Sequence, residues 1–417
     1  MSTVDEILDA ATAARALAPP PGDDRYAAYC DELAERLGKH WGAVLDANAA
    51  DVARGVAKGL PVSLVERLRL TEDHLGVLVE LAERVKSWLP AVTAPGAPIT
   101  GELGFTARKV PKPLGVVLMI YEARPTVTVE GALLPVAVGN VAILRGGGEI
   151  AATNAALGGV IAEALTAAGL PGMAHVLAET DRRMVRELLK RYDAIDALIP
   201  RGSPSLIDHC RTTSAIPVIA SGGGVNHLYV DRSADLDLVV DIALDAKLTE
   251  PTACNSLEMV LAHDEVADEL VRRFTARSDA FALRLDPRLS ADDPRVMPLA
   301  DHDDGREFLD RSFGVRPVPD LEAALAHIRR HGSRHTEGVA ATDPVVVERF
   351  LRGADAAALV VNGSMRLHDG PTMGLGPELS ISTGRLHVRG PVGLAALLTH
   401  SWAIQGEGAV RGTGGAR

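Results

Sequence analysis

Cys254 is the residue in this chain whose type and setting most readily suggest chemistry. It lies in the stretch LTEPTACNSLEM, directly after an amphipathic helical pattern over 235–249. Because Pro251 cannot sit inside a helix, the chain must turn and present Cys254 on a loop or at a new helix start. A thiol at a helix N-terminus has a lowered pKa and is a better nucleophile. The alternative is an inert buried cysteine, the commoner fate of an unpaired thiol.

A glycine-rich turn, RGGGE at 145–149, has the residue types of a nucleotide site. Its glycines would let the backbone approach a phosphate or a ribose, and Arg145 would supply a cation beside them. The alternative is a tight strand-to-helix turn with a solvated arginine. One glycine run leaves both interpretations open.

The elements that would position these residues alternate between strand and helix. Helical spacing dominates the first ninety residues, and a Pro/Gly-rich break follows at 91–101. Strands are then predicted at 115–121, 140–145, 174–178, 194–199, 217–220 and 227–230. After Cys254, LEMVLAH, EGVAATD and AALVVNG predict strands, and DLEAALAHIRRH and PVVVERFLRG predict helices. This alternation implies an α/β fold with mostly parallel sheets, an architecture that binds nucleotides at the carboxyl ends of strands.

Composition excludes several classes of function. With 417 residues the chain is long enough for two or three domains, and its net charge of −12 argues against nucleic acid as the main partner. The three scattered cysteines form no CxxC pair or Cys/His cluster with metal-ligand spacing, so we expect no metal site and no disulfide framework. The N-terminus lacks a basic signal-peptide region, and the apolar segment VEGALLPVAVGNVAIL is too broken to span a bilayer. These features predict a cytoplasmic protein.

Five blocks along the chain together resemble the γ-glutamyl phosphate reductases, also called glutamate-5-semialdehyde dehydrogenases, of the aldehyde dehydrogenase superfamily. They are GVVLMIYEARPTVTVEGALLPVAVGNVAILRGGGE, IPRGSPSLIDH, HLYVDRSADLD, PTACNSLE and ELSISTGRLHVRGPVGL. The blocks follow the family's order and cover roughly residues 5 to 412, which is more specific than any single motif.

The resemblance implies an aldehyde-dehydrogenase-like fold in three parts. These are an NADP-binding Rossmann-type domain (1–98 and 111–224), a catalytic domain with the nucleophilic cysteine (225–362), and an oligomerisation arm with a C-terminal segment (99–110 and 363–417). The arm, ITGELGFTARKV, reads as a β-hairpin that pairs with a C-terminal segment from another subunit. The resemblance therefore also implies a homo-oligomer, a dimer or a tetramer, with glutamate 5-kinase as a possible partner.

The implied reaction is the NADPH-dependent reduction of L-glutamyl 5-phosphate to glutamate 5-semialdehyde and phosphate, in proline biosynthesis. Cys254 would attack the acyl carbon, and the resulting thioester would be reduced. The backbone N–H of Cys254 would stabilise the oxyanion, with Thr126 as a candidate second donor and Asn255 in the catalytic set. Arg124 would either hold the leaving phosphate or serve as a structural arginine.

The remaining site residues are carried over from the same resemblance. The cofactor set consists of Arg145, Gly146 and Gly147 at the adenosine ribose, Arg201, Gly202 and Ser203 beside the pyrophosphate, Gly222 and Gly223 under the nicotinamide, and Glu307 at its ribose. Glu307 has an alternative as a solvated helix residue. Arg366 and Ser382 are candidates for the substrate's amino-acid end, whereas His368 and His387 are expected to be structural.

Three departures from the family pattern bear on the substrate. Ala220 stands where aldehyde-oxidising relatives carry the general base that activates water. Thr249–Pro251 replaces the Gln-Arg-Pro that is common in bacterial relatives, and Gly374–Pro377 replaces a Gly-Phe-Gly-Ala loop. Two alternatives therefore stay open: a paralogous reductase of a different acyl phosphate, or a non-catalytic cofactor-binding scaffold.

Overall fold

The computed structural model describes residues 3–178 and 181–411. Within them the α-helices are α1 (Thr3–Leu17), α2 (Asp24–Ala57), α3 (Val62–Leu68), α4 (Glu72–Thr93), α5 (Thr126–Ala137), α6 (Ala151–Ala167), α7 (Arg182–Leu188), α8 (Pro204–Thr213), α9 (Leu236–Leu248), α10 (Asp264–Arg277), α11 (Leu321–His331) and α12 (Pro344–Gly353). Short 3₁₀ turns occupy Gly148–Ile150, Asp301–Asp303, Met365–Leu367 and Leu394–Leu397.

The β-strands of the described chain follow the same alternation. They are β1 (Ile99–Thr100), β2 (Thr106–Pro113), β3 (Val116–Tyr121), β4 (Val141–Gly146), β5 (Ala174–Val176), β6 (Ala197–Arg201), β7 (Asn226–Val230), β8 (Leu257–His263), β9 (Ala282–Leu285), β10 (Val296–Pro298), β11 (Ser312–Val318), β12 (Thr336–Ala340), β13 (Ala358–Val361), β14 (Glu378–Ser382), β15 (Gly390–Gly393) and β16 (Leu398–Gln405).

The chain divides into two compact units. Unit 1 comprises the chain up to Ile219, the short segment Gly376–Ser380 and the chain from Val392 onward. Unit 2 comprises Ala220–Leu375 and Ile381–Pro391. The three-part division implied by the family resemblance stays a prediction.

Unit 1 contains a four-stranded parallel sheet in the order β5-β4-β3-β6. The chain runs from β3 through β4 to β5 on one side, and then returns to the other side of β3 for β6. Parallel sheets bind ligands where the strand order reverses in this way, which here lies between the carboxyl ends of β3 and β6. Every residue of β3 is buried, as expected for a strand covered by helices on both faces.

Helix α6 begins against a side chain from another helix. The Asp51 carboxylate of α2 accepts hydrogen bonds from the backbone N–H groups of Ala152 (3.3 Å) and Thr153 (2.7 Å), which satisfies the first turn of α6. By length and composition, Gly148–Ala167 is apolar enough to cross a membrane. However, α6 packs against α2, α5 and β5. A core helix that is largely buried inside a protein can have the same length and apolar composition.

The arm of unit 1 is a β-hairpin, as predicted, and it pairs with a strand of its own chain. β2 pairs antiparallel with β1 on one edge and with β16 on the other, from Leu398 opposite Pro113 to Gln405 opposite Thr106. The strand beside β2 is therefore the C-terminal strand of the same chain, and pairing of the arm with another subunit stays a prediction. The turn before β16 lies beside the end of β2, where Leu114 N–H donates to Leu397 O (3.4 Å), so the intrachain strand is already in place.

Unit 2 is built on a seven-stranded parallel sheet in the order β10-β9-β11-β8-β7-β12-β13. Apolar residues of α9 and α10 pack on one side of it, and those of α11 and α12 form a second apolar cluster. Phe274, Phe281 and Phe313 join the first cluster, with ring centroids 5.2 to 6.3 Å apart. β7, β8 and β12 are neighbours, so their amino ends meet at one edge of the sheet.

The predicted α/β fold is confirmed, and the predicted strands differ from the observed ones mainly at their bounds. The strand expected at 194–199 begins later because the N–H groups of Ala194 and Ile195 turn back to Arg191 O. The strand expected at 217–220 is wrong. Only an isolated bridge joins Val218 to Leu198 there, since Pro217 has no N–H with which to extend a ladder.

Candidate active site

Cys254 lies on a pair of consecutive turns between α9 and β8, here called the cysteine turn (residues 250–256). Ala253 N–H donates to Glu250 O (3.1 Å), and Ser256 N–H donates to Ala253 O (3.0 Å). The chain then enters β8 and not a helix, so the alternative of a new helix start is wrong and no helix dipole acts on Cys254 from this segment. The turn nonetheless leaves Cys254 only partly buried.

The two other cysteines, Cys30 and Cys210, are core residues. Cys30 and Cys210 are buried at 1% and 0% exposure, and burial raises the pKa of Cys30 to about 12 and that of Cys210 to about 11. None of the three cysteines, all within the described residues, forms a disulfide. Cys254 is therefore the thiol with the best access to a reactant.

Asn226, the first residue of β7, is hydrogen-bonded to the cysteine turn. Its Nδ2 group donates to the backbone oxygens of Cys254 (2.9 Å), Ser256 (2.6 Å) and Gly224 (3.1 Å). Its Oδ1 atom accepts from Thr336 N–H (3.1 Å) at the start of β12. One fully buried carboxamide thus joins three segments of the chain. The sequence analysis missed Asn226, because an asparagine next to a strand carries no signal of such a network.

The glycine loop, residues 221–224, comes within van der Waals distance of the cysteine turn. A Cβ atom at position 224 would lie 1.4 Å from the carbonyl oxygen of Cys254, so only glycine allows this approach. The predicted cofactor residues Gly222 and Gly223 precede it in the same loop. The structure therefore brings together two segments that the sequence analysis had singled out separately.

Glu307 is attached to the same glycine loop. Its Oε1 atom accepts from Gly224 N–H at 2.8 Å, and a Cβ atom at Gly223 would lie 2.2 Å from its Oε2 atom. The alternative of a solvated helix glutamate is wrong, because Glu307 lies in an irregular segment and is partly buried. Its predicted contact with a nicotinamide ribose stays a prediction.

A buried ion pair supports the segment that carries Glu307. Lys247 Nζ lies 3.0 Å from both carboxylate oxygens of Glu258, and both side chains are almost fully buried. Glu258 Oε2 also accepts from Phe308 N–H (2.9 Å), the residue after Glu307. Burial raises the pKa of Glu258 to about 8 despite the neighbouring ammonium group. The sequence analysis did not find this pair.

Asn255 and Arg366 were predicted in different roles, and the structure joins them. Arg366 Nη1 donates to Asn255 Oδ1, and Asn255 Nδ2 donates to His368 O (3.0 Å). Both ends of the buried Asn255 carboxamide are therefore engaged, which suits a residue that positions the cysteine turn. Arg366 remains partly exposed, and its guanidinium contacts the residue that follows Cys254 in the chain.

The histidines expected to be structural differ from each other. His368 is buried and shares the Thr336 hydroxyl with His335, as a structural role requires, whereas His387 is exposed with φ +63°. Ser382 is buried, and its Oγ atom accepts from Gly384 N–H (3.2 Å). This turn borders the glycine loop, since Thr383 N–H donates to Ala220 O (3.3 Å).

The departures from the family pattern include both exposed and buried residues, since Ala220, Gly376 and Pro377 are buried. Glu250 is exposed, and Leu375 keeps 52% of its surface accessible. Gly376, with φ +81°, packs against the indole of Trp88 in unit 1, where a Cβ atom would lie 2.7 Å from the ring. Of the altered residues, Glu250 and Leu375 therefore change the protein surface, whereas Ala220 and Pro377 change buried positions.

Unit 1 gathers the other predicted segments at the carboxyl ends of β3, β4 and β6. Glu122, just after β3, accepts from Ser203 N–H (2.9 Å), and its own N–H donates to Arg201 O (3.1 Å). Ala123 N–H donates to Glu149 Oε1 (2.8 Å) in the RGGGE turn. The loop after β3 therefore ties the two predicted cofactor turns together at the point where the strand order reverses.

One predicted phosphate donor is already engaged. The Ser203 N–H binds Glu122, and Ser203 Oγ caps α8 by accepting from Leu206 N–H (3.4 Å). The backbone N–H of Ser203 is therefore already paired within the chain, and a role of Ser203 beside a pyrophosphate stays a prediction. The cofactor role of Gly202, on the same turn, stays a prediction.

The predicted anion-binding residues of unit 1 surround this edge. Burial lowers the pKa of Arg145, which lies at the end of β4, but a guanidinium remains charged at neutral pH. Arg124 is exposed, and Thr126 is the first residue of α5. Ala123 between them and β3 has φ +47°, a left-handed conformation that occurs at functional turns more often than elsewhere.

This edge fits a dinucleotide. The N-termini of α5 and α8 follow β3 and β6 directly, and helix N-termini favour phosphate groups. Arg145 and Arg201 add positive charge, and Gly146 and Gly147 keep the turn after β4 without side chains. We expect these residues of unit 1 to contact a nicotinamide dinucleotide, and the cofactor roles of Gly222, Gly223 and Glu307 in unit 2 stay predictions.

Comparison with known proteins agrees with this geometry. The model of the Aldehyde dehydrogenase family matches residues 27–309. The chain belongs to the aldehyde dehydrogenase family. Within this family it is 42% identical to a γ-glutamyl phosphate reductase from Sorangium cellulosum (strain So ce56), over 96% of each chain. It is 40% identical to one from Roseiflexus castenholzii (strain DSM 13941 / HLO8), over 99% of this chain and 100% of that one.

A solved structure extends the relationship to the fold. A γ-glutamyl phosphate reductase from Thermotoga maritima superimposes with a TM-score of 0.90 at 31% identity, covering 98% of this chain and 99% of that one. The resemblance to γ-glutamyl phosphate reductases is therefore confirmed over nearly the whole chain. As a member of the aldehyde dehydrogenase family, the protein is an oxidoreductase.

Proposed function

We propose that this aldehyde dehydrogenase family member reduces L-glutamyl 5-phosphate to L-glutamate 5-semialdehyde and phosphate, using NADPH, as a step of proline biosynthesis. The observation that carries the proposal is the cysteine turn: the one partly exposed thiol of the chain lies on a turn clamped by Asn226 against the glycine loop. The names of the relatives in Sorangium and Roseiflexus support the substrate.

The chemistry assigned to this chain begins with the Cys254 thiolate. Sulfur attacks the acyl carbon, the carbonyl π electrons move to oxygen, and the tetrahedral intermediate collapses by breaking the carbon–oxygen bond to phosphate. The product is a thioester, which accepts hydride far more readily than a carboxylate. NADPH, when bound, supplies that hydride. The hemithioacetal then releases the aldehyde and restores the thiol.

Two features of the chain suit a thioester that is reduced and not hydrolysed. Position 220, where aldehyde-oxidising relatives place a general base, holds a buried alanine, so no carboxylate activates water from there. The backbone N–H of Cys254 is assigned to the oxyanion, and Asn226 and Asn255 restrain the turn that presents it. Thr126 and Arg124 remain the proposed second donor and phosphate ligand.

The preference for NADPH is assigned to Arg145. A guanidinium beside the adenosine ribose would pair with a 2′-phosphate, and the charge of Glu149 close by opposes this only in part. The proposal includes a cytoplasmic location, a homo-oligomeric state and glutamate 5-kinase as the partner that supplies the labile acyl phosphate.

The test runs the reaction backwards, because glutamate 5-semialdehyde is easier to handle than the acyl phosphate. Reduction of NADP⁺ is followed with that aldehyde, with and without phosphate, for the wild type, Cys254→Ala and the buried control Cys210→Ala. We expect phosphate-dependent turnover that is lost in Cys254→Ala and retained in Cys210→Ala. A folded, NADP-binding wild type without turnover would overturn the substrate assignment.

A second candidate is a reductase of a different acyl phosphate. The exposed Leu375 and Glu250, both departures from the family pattern, favour it because they change the surface that a substrate would meet. Failure to rescue a proline auxotroph, combined with turnover of another acyl phosphate, would establish it. A non-catalytic scaffold would show no fast-alkylating thiol at position 254 that NADPH protects.

A further inference from the structure

Two histidines of α11 and one aspartate lie close enough to share a metal ion. His327 and His331 are four residues apart, so they project from the same face of the helix. Asp304, just after the 3₁₀ turn Asp301–Asp303, meets them. One nitrogen or oxygen from each of the three residues lies within 4.8 Å of the others, and all three side chains are partly buried. The sequence analysis expected no metal site, because it sought clusters that include cysteine.

His327 supplies a second observation that points to a ligand. Its Nε2 atom is buried, and no residue in the described parts of the chain forms a hydrogen bond with it. Buried ring nitrogens ordinarily have a partner, so an orphaned one requires an explanation. The ring of His327 lies 4.6 Å from that of His331.

We propose that Asp304, His327 and His331 form a binding site for a divalent transition-metal ion of the zinc class. Two imidazoles and one carboxylate are the donors that Zn²⁺, Co²⁺ and Ni²⁺ prefer, whereas Mg²⁺ and Ca²⁺ select oxygen. Three protein ligands also leave a coordination position for water. Nothing in the reductase reaction proposed above uses such an ion.

The surroundings of Asp304 determine how tightly the site would bind. Arg316 Nη2 donates to both of its carboxylate oxygens, at 3.1 and 3.2 Å, and Arg316 Nη1 also binds Asp286 (2.8 Å). A metal ion must therefore share Asp304 with a guanidinium, which opposes a second positive charge. We expect moderate affinity, that of a regulatory or inhibitory site, and not that of a structural zinc.

The site is linked to the candidate active site through a short segment. Asp304 lies three residues before Glu307, which binds Gly224 N–H, and four before Phe308, which binds Glu258. An ion that fixes Asp304 to α11 would restrain the segment that carries Glu307. If the proposed cofactor role of Glu307 holds, the ion changes the affinity for NADPH; the metal site itself does not depend on that role.

The test measures metal binding directly, in full-length protein carrying Cys254→Ala so that the reactive thiol does not compete. Zn²⁺ is titrated by calorimetry, and Co²⁺ by its visible d–d absorption, for this background and for added His327→Ala, His331→Ala and Asp304→Asn. His302→Ala is the matched control, since His302 is an exposed histidine two residues before Asp304. Circular dichroism and thermal unfolding verify that each variant folds.

We expect one equivalent of metal in the background and in His302→Ala, and at least tenfold weaker binding in each of the three ligand variants. Binding that survives in a folded His327→Ala/His331→Ala double variant would overturn the proposal. So would the absence of binding in the background at 100-fold molar excess of Zn²⁺. Neither result depends on turnover, so a failure here is distinguishable from a failure of the reductase assignment.

Discussion

The side-chain amide of Asn226 donates a hydrogen bond to the carbonyl oxygen of Cys254 over 2.9 Å. The same carboxamide reaches Gly224, Ser256 and Thr336, so the position of the nucleophile depends on a residue that would not touch the reactants. In unit 2 these contacts lie at the amino ends of β7, β8 and β12. The predicted cofactor residues of unit 1 lie instead at the carboxyl ends of β3, β4 and β6, and ligand binding there stays a prediction.

Asn226→Ala should slow the alkylation of Cys254 by iodoacetamide at least tenfold or remove its protection by NADPH. The substitution leaves buried carbonyl groups unpaired and should lower the free energy of unfolding by about 2–4 kcal/mol. Asn140→Ala is the matched control, because Asn140 in unit 1 is equally buried and binds Pro135 O, Leu397 O and Gly115 N–H. Equal changes in Cys254 reactivity in the two variants would refute the clamp.

Gly224→Ala should be the most damaging single-methyl change near the active site. The new Cβ atom would lie 1.4 Å from Cys254 O, so either the glycine loop or the cysteine turn must move. Turnover and Cys254 alkylation should both fall at least 100-fold. Gly38→Ala, on an open face of α2, should instead stabilise the protein by about 0.5–1 kcal/mol. Wild-type reactivity in Gly224→Ala would show that the two segments are farther apart in solution.

Lys247→Met should destabilise the protein by about 3–5 kcal/mol at pH 9, because it leaves a buried carboxylate without its partner. Burial raises the pKa of Glu258 from 4.5 to about 8, so the folded state holds this proton more tightly than the unfolded state. The stabilisation from the proton is complete below pH 4.5 and is lost as pH rises through 8. The variant should therefore lose less stability at pH 6.

Urea unfolding at the two pH values checks this. Lys86→Met, which removes an exposed ion pair with Asp31, should cost no more than about 1 kcal/mol at either pH. The double variant Lys247→Met/Glu258→Gln should recover much of the loss. A pH-independent penalty in Lys247→Met would contradict the assignment of the titrating group to Glu258.

Two buried histidines should make the protein sensitive to mild acid. The Thr336 hydroxyl lies 2.8 Å from Nδ1 of both His335 and His368, and burial lowers their pKa values from 6.5 to about 3 and about 4. Below pH 6.5 these two histidines become protonated in the unfolded chain but stay neutral in the folded chain. The free energy of unfolding should therefore decrease as pH decreases, by at most about 1.4 kcal/mol per pH unit for each histidine.

Denaturant unfolding between pH 7.5 and 5 measures this slope. His368→Asn should remove the contribution of about one proton to this slope. Substitution of the exposed His209 by Asn should leave the slope unchanged. An unaltered slope in His368→Asn would mean that another group titrates.

Arg145→Ala should raise the KM for NADPH at least tenfold and change that for NADH little. The removed guanidinium is the charge assigned to the 2′-phosphate, and an ion-paired hydrogen bond of this kind is worth about 1.5–3 kcal/mol. The exposed Arg211→Ala, elsewhere in unit 1, should change neither KM. An equal rise in KM for NADPH and for NADH would show that a residue other than Arg145 determines the preference for NADPH.

The sequence by itself determined the family, the α/β alternation, the nucleophile candidate and the separate cofactor segments. Those conclusions rest on residues adjacent in the chain: Pro251 follows a helix just before Cys254, and glycines occupy the end of β4 and the turn after it at 146–148. His327 and His331 were also readable, since four-residue spacing places them on one helix face.

Tertiary structure alone decided which of these segments touch. Asn226 and Thr336 are 110 residues apart, and Gly224 and Glu307 are 83 apart, yet each pair is hydrogen-bonded. The first pair meets because β12 lies beside β7 in the sheet. The second pair meets because the segment before β11 folds back onto the glycine loop. Both contacts depend on the order of the strands. Strand order follows from how the apolar faces of all the elements pack together, and local residue patterns do not encode it.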